Sequence, residues 1–272
     1  MIEAFDLPHC ADSILSLSDG VATLRFNRDD VRNALTGTAL IQDIVTVCKW
    51  ASEDERVGAL ILTGDGRAFS AGGNIKDMAA KTGMFGGEPI AVQDAYRRGI
   101  QKMSLAVYRT EIPVIAAVNG AAIGAGLDLA CMCDIRLGST RAKIAESFVT
   151  LGLVPGDGGA WFLPRVVGNQ RAAEMTFSGR IVEAEEALAI GVFLELAKPE
   201  DLLSRAEVLA AGFAGQPRRA IRLAKRLLSM GQRMPLDDFL DHCASLQALA
   251  HHGLEHDDAI AAAVAKISSE TR

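Results

Sequence analysis

One stretch of the sequence, from Ile112 to Asp134, limits the possible folds more than any other. It reads IPVIAAVNGAAIGAGLDLACMCD. The apolar run from Pro113 to Val118 is rich in β-branched residues, which is typical of a buried strand. Gly124-Ala125-Gly126 then predicts a tight turn, and Leu127 to Cys133 has the composition of a helix. Strand, turn and helix N-terminus together present backbone N–H groups, so the stretch predicts a site for an anion, or for an oxygen that becomes one.

Composition and charge indicate a cytoplasmic globular protein. The 272 residues, 49% of them hydrophobic, suit one large domain or a main domain with a smaller appendage. No segment approaches the roughly 20 apolar residues of a membrane span, and the N-terminus lacks a secretion signal. The net charge of −6 argues against a general nucleic-acid binder, although a local basic patch could hold a small polyanion. The five widely spaced cysteines fit unpaired thiols in a reducing compartment.

Strand and helix patterns alternate along the first two-thirds of the chain. We expect a hairpin over residues 13–26, buried strands at 57–63 and 113–118, a short strand at 134–139, and helices over 38–51 and 93–110. Residues 78–88 hold three glycines without a clear period, so they predict a mobile surface loop. From Asn169 onwards the pattern is almost wholly helical, with a possible last strand at 192–196. An α/β core of βα units with a helical tail follows.

Two short motifs resemble metal sites. Cys131-x-Cys133 is one residue shorter than the usual pair and has no partner pair, so two small residues in a core helix is the favoured interpretation. His252-Gly-Leu-Glu255-His256 matches an inverted zinc-protease pattern, but no third ligand is evident. Such patterns arise by chance, and a structural or surface role is favoured. No metal is therefore expected.

Two further motifs suggest other enzyme classes. Ser70 lies in Ala68-Phe-Ser-Ala-Gly72, close to the nucleophile elbow of serine hydrolases, although the first glycine of that motif is an alanine. A serine hydrolase using Ser70 is thus a minor alternative. Gly124-x-Gly126 after a strand is also a weak dinucleotide signal, with Leu129 where a small residue belongs.

Three small-residue turns, each after an apolar or strand-like run, lead towards helices. Two such turns can direct two backbone N–H groups at one oxygen, which is what an oxyanion hole requires. Three acids accompany the turns: Asp128, Glu146 and Asp157. Taken singly, each has an equally good structural interpretation: Asp128 complements a helix dipole, Glu146 is a solvated charge, and Asp157 is a helix N-cap.

Three long motifs in this order resemble those of the crotonase, or enoyl-CoA hydratase/isomerase, superfamily. They are RAFSAGGNIKDM at 67–78, PVIAAVNGAAIGAGLDLACMCD at 113–134 and AESFVTLGLVPGDGGAWFLPRVVG at 145–168. The resemblance extends over nearly the whole chain. It implies a crotonase-like α/β fold, with a ββα spiral core at 1–198 and a C-terminal α-helical trimerisation region at 199–272. It also implies a homotrimer or a dimer of trimers.

The resemblance further implies a coenzyme A thioester substrate, with no cofactor beyond the coenzyme A that the substrate carries. The thioester oxygen, which becomes an enolate, would accept from the N–H groups of Gly73 and Ala125. The lining of the thioester and the coenzyme would include Ala71, Asn74, Ile75 and Lys76. Arg32 and Arg67, with Arg28, are candidates for the coenzyme phosphates, although a solvated face explains them equally well.

The resemblance places the catalytic carboxylates only in part. Hydratases of the family use two glutamates to hold and activate one water. The first position is Asp128 here, and the second is Phe148, which cannot transfer a proton. Glu146 lies two residues earlier, and Asp157 is displaced by one residue from a carboxylate found in some isomerases. We therefore expect Asp128 to act as acid/base with Glu146 or Asp157 assisting, in hydration or double-bond isomerisation. A non-catalytic acyl-CoA-binding protein is the alternative.

Overall fold

The computed structural model describes residues 7–270. Residues 1–6, where part of the stretch checked for a secretion signal lies, and residues 271–272 are outside that range. The strands are β1 Ser13–Ser18, β2 Val21–Phe26, β3 Ala59–Gly64, β4 Ala68–Ser70, β5 Val114–Val118, β6 Ala121–Ile123, β7 Ile135–Ser139, β8 Lys143–Ala145, β9 Val182–Glu183 and β10 Glu195–Ala197.

Twelve helices accompany these strands in the described range. They are α1 Leu40–Glu53, α2 Ile75–Ala80, α3 Pro89–Arg98, α4 Ile100–Arg109, α5 Ala125–Met132, α6 Gly159–Val167, α7 Asn169–Ser178, α8 Ala184–Ala189, α9 Leu202–Ala214, α10 Arg218–Gly231, α11 Leu236–His251 and α12 Leu254–Glu270. Short 3₁₀ turns occupy Asp29–Val31, Gly83–Phe85 and Phe148–Leu151.

The strands form two sheets that the chain visits alternately. The six-stranded sheet has the order β1-β2-β3-β5-β7-β10, and the four-stranded sheet has the order β4-β6-β8-β9. Pairs β3/β4, β5/β6 and β7/β8 each place one strand in each sheet before the chain enters a helix. This repeat is the ββα spiral that the resemblance implies. Except for the β1–β2 hairpin and the β8–β9 pair, neighbouring strands are parallel.

The core explains why the central strands are apolar on both faces. Every residue of β3 and of β5 is buried, as expected for parallel strands that are covered on both sides. One face of the six-stranded sheet packs against α9 through residues at every fourth position, namely Leu202, Ala206, Ala210 and Ala214. The small alanines let α9 approach closely: a Cβ on Gly58 would stand 2.7 Å from the Cα of Ala214.

The structure confirms most predicted elements, and it corrects three. The predicted loop at 78–88 includes the end of α2 and a 3₁₀ turn, since Asn74 caps a helix that ends only at Ala80, where Lys81 adopts a left-handed conformation. The predicted helix over 93–110 is two helices that break at Gly99, where φ and ψ are both −107°. The third correction is a second, four-stranded sheet that the sequence did not predict. Its strands have only two or three residues, which is too short to show an alternating pattern.

The C-terminal helices differ in how they contact the core. Helix α10 docks on the end of α4 and on the segments that lead into β5 and β7. Its polar contacts include Arg222 to Glu111, Lys225 to Asp134 and Ser229 to Tyr108. Helices α10 and α11 contain no buried residue. The division at residue 199 and the trimerisation role stay predictions, and α9, which lies beyond that division, covers the core sheet. No helix within residues 7–270 has the length and apolarity needed to cross a bilayer.

Candidate active site

Two glycine-containing turns meet at the end of the four-stranded sheet. One follows β4, and the other joins β6 to α5. Gly72, in the first turn, has φ of +75°, and a Cβ there would stand 2.4 Å from the carbonyl oxygen of Ile123 and 3.1 Å from the nitrogen of Ala125. Position 72 therefore requires glycine for both its conformation and its space. This contact brings the two halves of the predicted hole together.

The N–H groups of Gly73 and Ala125 are both available to a ligand. Within residues 7–270, neither donates a hydrogen bond to another protein atom. Ala125 is the first residue of α5, where the backbone N–H groups have no partner inside the helix. Gly126 allows α5 to approach β4, because a Cβ there would stand 2.1 Å from the carbonyl oxygen of Ser70. These two unpaired donors lie on turns that contact each other at Gly72, which is compatible with the paired N–H groups of an oxyanion hole.

The loop before α1 holds the first turn in place, a role that we did not predict from the sequence. The carbonyl of Arg32 accepts from the N–H of Ala71 at 2.9 Å, and the hydroxyl of Thr36 accepts from the N–H of Asn74 at 2.7 Å. The buried side chain of Asn33 donates to the carbonyl of Ala68 at 2.8 Å. Asn33 has a left-handed φ of 52°, which asparagine tolerates better than most residues. The polar run NRDDVRNAL, which contains Asn33, is the sequence feature that could have predicted this supporting role.

Ser70 also holds the first turn in place. Its side chain is fully buried, its hydroxyl donates to the carbonyl of Asn33 at 2.7 Å, and it accepts from the N–H of Gly72 at 3.1 Å. These two bonds use the hydroxyl for structure and leave it inaccessible to a substrate. The geometry therefore argues against Ser70 as a nucleophile.

Asp128, Glu146 and Asp157 lie together in one buried cluster. Their exposed fractions are 0%, 0% and 2%, and none of their six carboxyl oxygens has a hydrogen-bond partner elsewhere in the described residues. The charges of Asp157 and Glu146 act on Asp128. Asp128 lies in the first turn of α5, as the helix-dipole interpretation expects, whereas Glu146 is not solvated and the N-cap of α6 is Gly158 rather than Asp157.

Each acid reaches the cluster from a different element. Asp128 lies in the first turn of α5, three residues after Ala125. Glu146 directly follows Ala145, whose carbonyl accepts from the N–H of Gly124 at 2.8 Å, so the end of β8 is fixed to the second turn. The backbone carbonyl of Asp157 accepts from the hydroxyl of Ser104 at 2.6 Å.

Burial and mutual repulsion hold protons on this cluster. Loss of hydration raises the pKa of Asp128 well above its ordinary value, and the charges of Asp157 and Glu146 raise it further. Burial likewise raises the pKa of Glu146 to about 7 and raises the pKa of Asp157. The N-terminus of α5 opposes the effect on Asp128, but desolvation dominates because the carboxyl group is fully buried. At neutral pH the cluster therefore holds both a proton donor and a proton acceptor.

Phe148 occupies the rim of the site. Its ring packs against the core, and a Cβ on Gly124 would stand 3.6 Å from its Cζ. An aromatic ring therefore lies next to the second turn, where the resemblance implied a glutamate. Glu146 supplies a carboxyl group from a neighbouring position in the chain.

The residues predicted to line the coenzyme surround the first turn. Ala71 and Asn74 are half-buried, whereas Ile75, Lys76, Arg32 and Arg67 are exposed. Asn74 caps α2 by accepting from the N–H of Lys76 at 3.0 Å. The guanidinium group of Arg28 is engaged by Asp30 and Asp12, while those of Arg32 and Arg67 form no ion pair within the described residues. Contact of these residues with a coenzyme stays a prediction.

The metal-like motifs lie elsewhere. Cys131 and Cys133 are buried in the core, and Glu255 of the second motif accepts from the backbone N–H of Arg219 at 2.9 Å. No group of three or more His, Cys, Asp or Glu side chains suited to a metal ion occurs in the described part of the chain.

The fold and the site define an α/β protein with paired backbone donors beside buried acids, and comparison with known proteins places it. The chain belongs to the enoyl-CoA hydratase/isomerase family, whose model matches residues 16–260. It is an enzyme of this family, within the crotonase superfamily.

Three similar proteins illustrate the range of the family. Crotonyl-CoA hydratase of Syntrophomonas wolfei subsp. wolfei is 35% identical over 82% of this chain and 84% of its own. The 1,2-epoxyphenylacetyl-CoA isomerase of Escherichia coli K12 is 32% identical over 92% of this chain and 94% of its own. The crystal structure of an enoyl-CoA hydratase from Bacillus anthracis superposes with a TM-score of 0.87, at 29% identity, over 94% of this chain and 97% of that one.

Proposed function

We propose that this enzyme moves a double bond within an enoyl-CoA thioester, by taking a proton from one carbon and returning it to another. The base removes a proton beside the thioester of a 3-enoyl-CoA, and the electron pair moves onto the thioester oxygen. The resulting dienolate then takes a proton at carbon 4, which gives the 2-enoyl-CoA. Coenzyme A enters only as part of the substrate.

The oxyanion hole of this proposal is formed by the N–H groups of Gly73 and Ala125. Negative charge grows on the thioester oxygen during proton removal, and two fixed donors stabilise it without reorganisation. Loss of one such donor typically raises a barrier by about 3–4 kcal/mol. The direct contact of Gly72 with Ala125 supports this assignment, because it fixes the two turns relative to each other.

The observation that carries the proposal is the buried cluster of Asp128, Glu146 and Asp157. An isomerase needs a group that accepts a proton at one point of the substrate and a group that returns one at another. Neighbouring carboxyl groups with raised pKa values meet both needs near neutral pH. Asp128 is nearest in sequence to the oxyanion donor, so we assign it as the principal acid/base.

Hydration is the second candidate reaction, and the burial of Asp128 and Glu146 in one cluster favours it. Two neighbouring carboxyl groups can hold and activate one water for addition to a 2-enoyl-CoA. The relatives include both a hydratase and an isomerase, which is consistent with either outcome. Phe148 is the feature that places isomerisation first, since its ring lies where the resemblance implied the second glutamate.

Turnover in deuterium oxide tests the reaction. The enzyme is incubated with 3-hexenoyl-CoA and, separately, with crotonyl-CoA, and products are analysed by mass spectrometry. We expect conversion of the first to the 2-enoyl thioester, with isotope exchange beside the carbonyl or at carbon 4. Rapid formation of 3-hydroxybutyryl-CoA without isomerisation would instead establish hydration. Thioester binding without any turnover or exchange would favour the non-catalytic alternative.

The variant Asp128→Asn tests the assigned acid/base. We expect isotope exchange to fall by at least a thousandfold, while the Kd for a saturated acyl-CoA changes less than threefold. Asp258→Asn, an exposed acid on α12, is the matched control and should leave exchange unchanged. Undiminished exchange in Asp128→Asn would remove Asp128 from the mechanism.

We also propose that the enzyme works in the cytoplasm as a homotrimer or a dimer of trimers. Exposed apolar side chains on the two last helices support a subunit contact there: Leu236, Leu240, Leu249, Leu254, Ile260, Val264 and Ile267. Analytical ultracentrifugation of the whole chain tests this assembly, and a monomer at micromolar concentration would contradict it.

A further inference from the structure

A pocket of about 470 Å³ opens between α4 and α6 and ends at the turn that carries Asp157. Its walls are mainly apolar and aromatic: Leu105, Tyr108, Pro155, Ala160, Trp161 and Phe162. Such pockets, lined by apolar side chains with few polar groups, are typical of small-molecule sites. The chain from Pro155 to Gly158 forms the inner wall.

Apart from Asp157, the polar side chains that line the pocket are already engaged. Gln101 donates to the carbonyl of Gly156 at 2.8 Å, and Ser104 donates to the carbonyl of Asp157 at 2.6 Å. The hydroxyl of Tyr108 accepts from the hydroxyl of Ser229 at 2.8 Å. A ligand with hydrogen-bonding groups would find few free partners there, so the pocket favours an apolar group.

Three aromatic rings are arranged edge to face along the pocket. The ring centroids of Tyr108 and Trp161 are 5.3 Å apart at 82°, and those of Trp161 and Phe162 are 4.7 Å apart at 75°. This is the preferred geometry of aromatic pairs. The guanidinium group of Arg165 covers one face of Trp161, with its Cζ 3.7 Å from the ring centroid, and the three rings line the pocket with the rest of their surface. An aryl group in the pocket would therefore gain favourable contacts that a linear chain lacks.

The pocket adjoins the buried acids through Asp157. Asp157 lines the pocket, its charge acts on Asp128, and Asp128 lies three residues after the proposed oxyanion donor Ala125. A thioester whose oxygen is held at Ala125 would place its first carbons beside the acids. The remainder of the acyl group would then continue past Asp157 into the pocket.

We propose that this pocket binds the distal part of the acyl group, and that the preferred substrates carry an aryl ring there. The inference rests on the proposed function of the same site. An engineered cavity of about 150 Å³ binds benzene, so roughly three times that volume accommodates a phenyl ring with its linking carbons. The pocket thus selects the acyl group, whereas the acids and the backbone donors act on the carbons next to the thioester.

Binding of saturated thioesters tests the assignment independently of turnover. We expect isothermal titration calorimetry to show 4-phenylbutanoyl-CoA binding at least tenfold more tightly than acetyl-CoA. Leu105→Trp, which adds bulk to the wall on α4, should reduce this preference to less than threefold. Val208→Trp places the same residue on the exposed face of α9 and should retain the tenfold preference.

A second readout follows occupancy directly. The chain has two tryptophans, so Trp50→Phe leaves Trp161 as the single fluorophore. Its emission should change on addition of 4-phenylbutanoyl-CoA and should not change with acetyl-CoA.

Equal affinity for the two thioesters, or an undiminished preference in Leu105→Trp, would overturn the pocket assignment while leaving the proposed reaction standing. Octanoyl-CoA binding as tightly as 4-phenylbutanoyl-CoA would overturn the aryl preference. Failure of every thioester to bind would overturn the proposed function together with this inference.

Discussion

The carboxyl group of Asp128 lies directly against the Cα of Gly159: a Cβ at position 159 would stand 2.2 Å from Oδ1 and 2.4 Å from Oδ2. The first turn of α5 and the first residue of α6 are thereby packed on the same acid. Glycine at the start of α6 leaves the space that the carboxyl group occupies. The position of the Asp128 carboxyl group thus depends on Gly159, which has no reactive side chain.

Gly159→Ala should displace the carboxyl group of Asp128 and lower kcat by about 10- to 100-fold, because small errors in catalytic geometry carry large costs. Alanine suits a helix start, so the fold should persist by circular dichroism. Gly212→Ala on α9 is the control, since a Cβ there meets nothing within 4 Å. It should leave kcat unchanged and stabilise the protein by about 0.5–1 kcal/mol. An unaltered kcat in Gly159→Ala would contradict the proposed role of Asp128.

Gly72→Ala should separate the two turns of the oxyanion hole. The added methyl group would collide with the carbonyl of Ile123, and we expect kcat to fall by about 100- to 1,000-fold. Gly191→Ala is the control for backbone strain: its φ of +84° is similar, but the nearest atom to a Cβ is 3.8 Å away. That variant should lose stability and keep its kcat. Equal losses of kcat in both variants would show that strain alone explains the effect.

Glu146→Gln should change how stability depends on pH. Burial raises the pKa of Glu146 from 4.5 to about 7, so the folded state binds this proton more tightly than the unfolded state. Stability is therefore highest below pH 4.5 for this group and is lost as the pH rises towards 7. At about 1.4 kcal/mol per pKa unit, the loss is on the order of 3 kcal/mol.

Urea unfolding of Glu146→Gln at pH 5 and pH 8 measures this effect. Glutamine cannot ionise, so the variant should lose less stability than the parent protein between the two values. Glu183→Gln, at an exposed ion pair with Lys143, should retain the parent's pH dependence. A steeper dependence in Glu146→Gln would show that the sign of the pKa shift is wrong.

Ser70→Ala should affect stability without removing a nucleophile. The change leaves the carbonyl of Asn33 and the N–H of Gly72 without their partner in a buried place, at a cost of about 2 kcal/mol. Ser245→Ala, at an exposed hydroxyl on α11, should cost much less. The parent protein should not be labelled by a fluorophosphonate, and stoichiometric labelling at Ser70 would restore the serine-hydrolase alternative.

Local patterns predicted the elements that set the backbone of the site. The strand and the helix at 112–134 appear as β5 and α5, the glycine turn lies at Gly124, and Ala125 is the first residue of the helix, as expected. The β1–β2 hairpin and the alternation of strands with helices were also readable. The short strands β4, β6 and β8 were not, because three residues carry no period and such strands exist only through pairing with distant segments.

The acids show where sequence reasoning stops. The sequence indicated Asp128, Glu146 and Asp157 as candidate catalytic acids. It also showed Phe148 at a position where the family has a carboxylate. It did not reveal that Glu146 takes a place beside Asp128, since that depends on the bond that fixes Ala145 to Gly124. The support from Asn33, Thr36 and Ser70 was missed for the same reason: these hydrogen bonds join residues far apart in the chain.

By itself the sequence determined the order of the longer strands and helices, the glycines that two tight turns require, and the acids available for proton transfer. Only the tertiary structure decided that three acids from three different segments share one buried cluster. Side-chain burial and charge–charge distance arise from packing between distant segments, and these two quantities set a carboxyl pKa. The sequence therefore identifies the residues of the site, and the fold sets their pKa values.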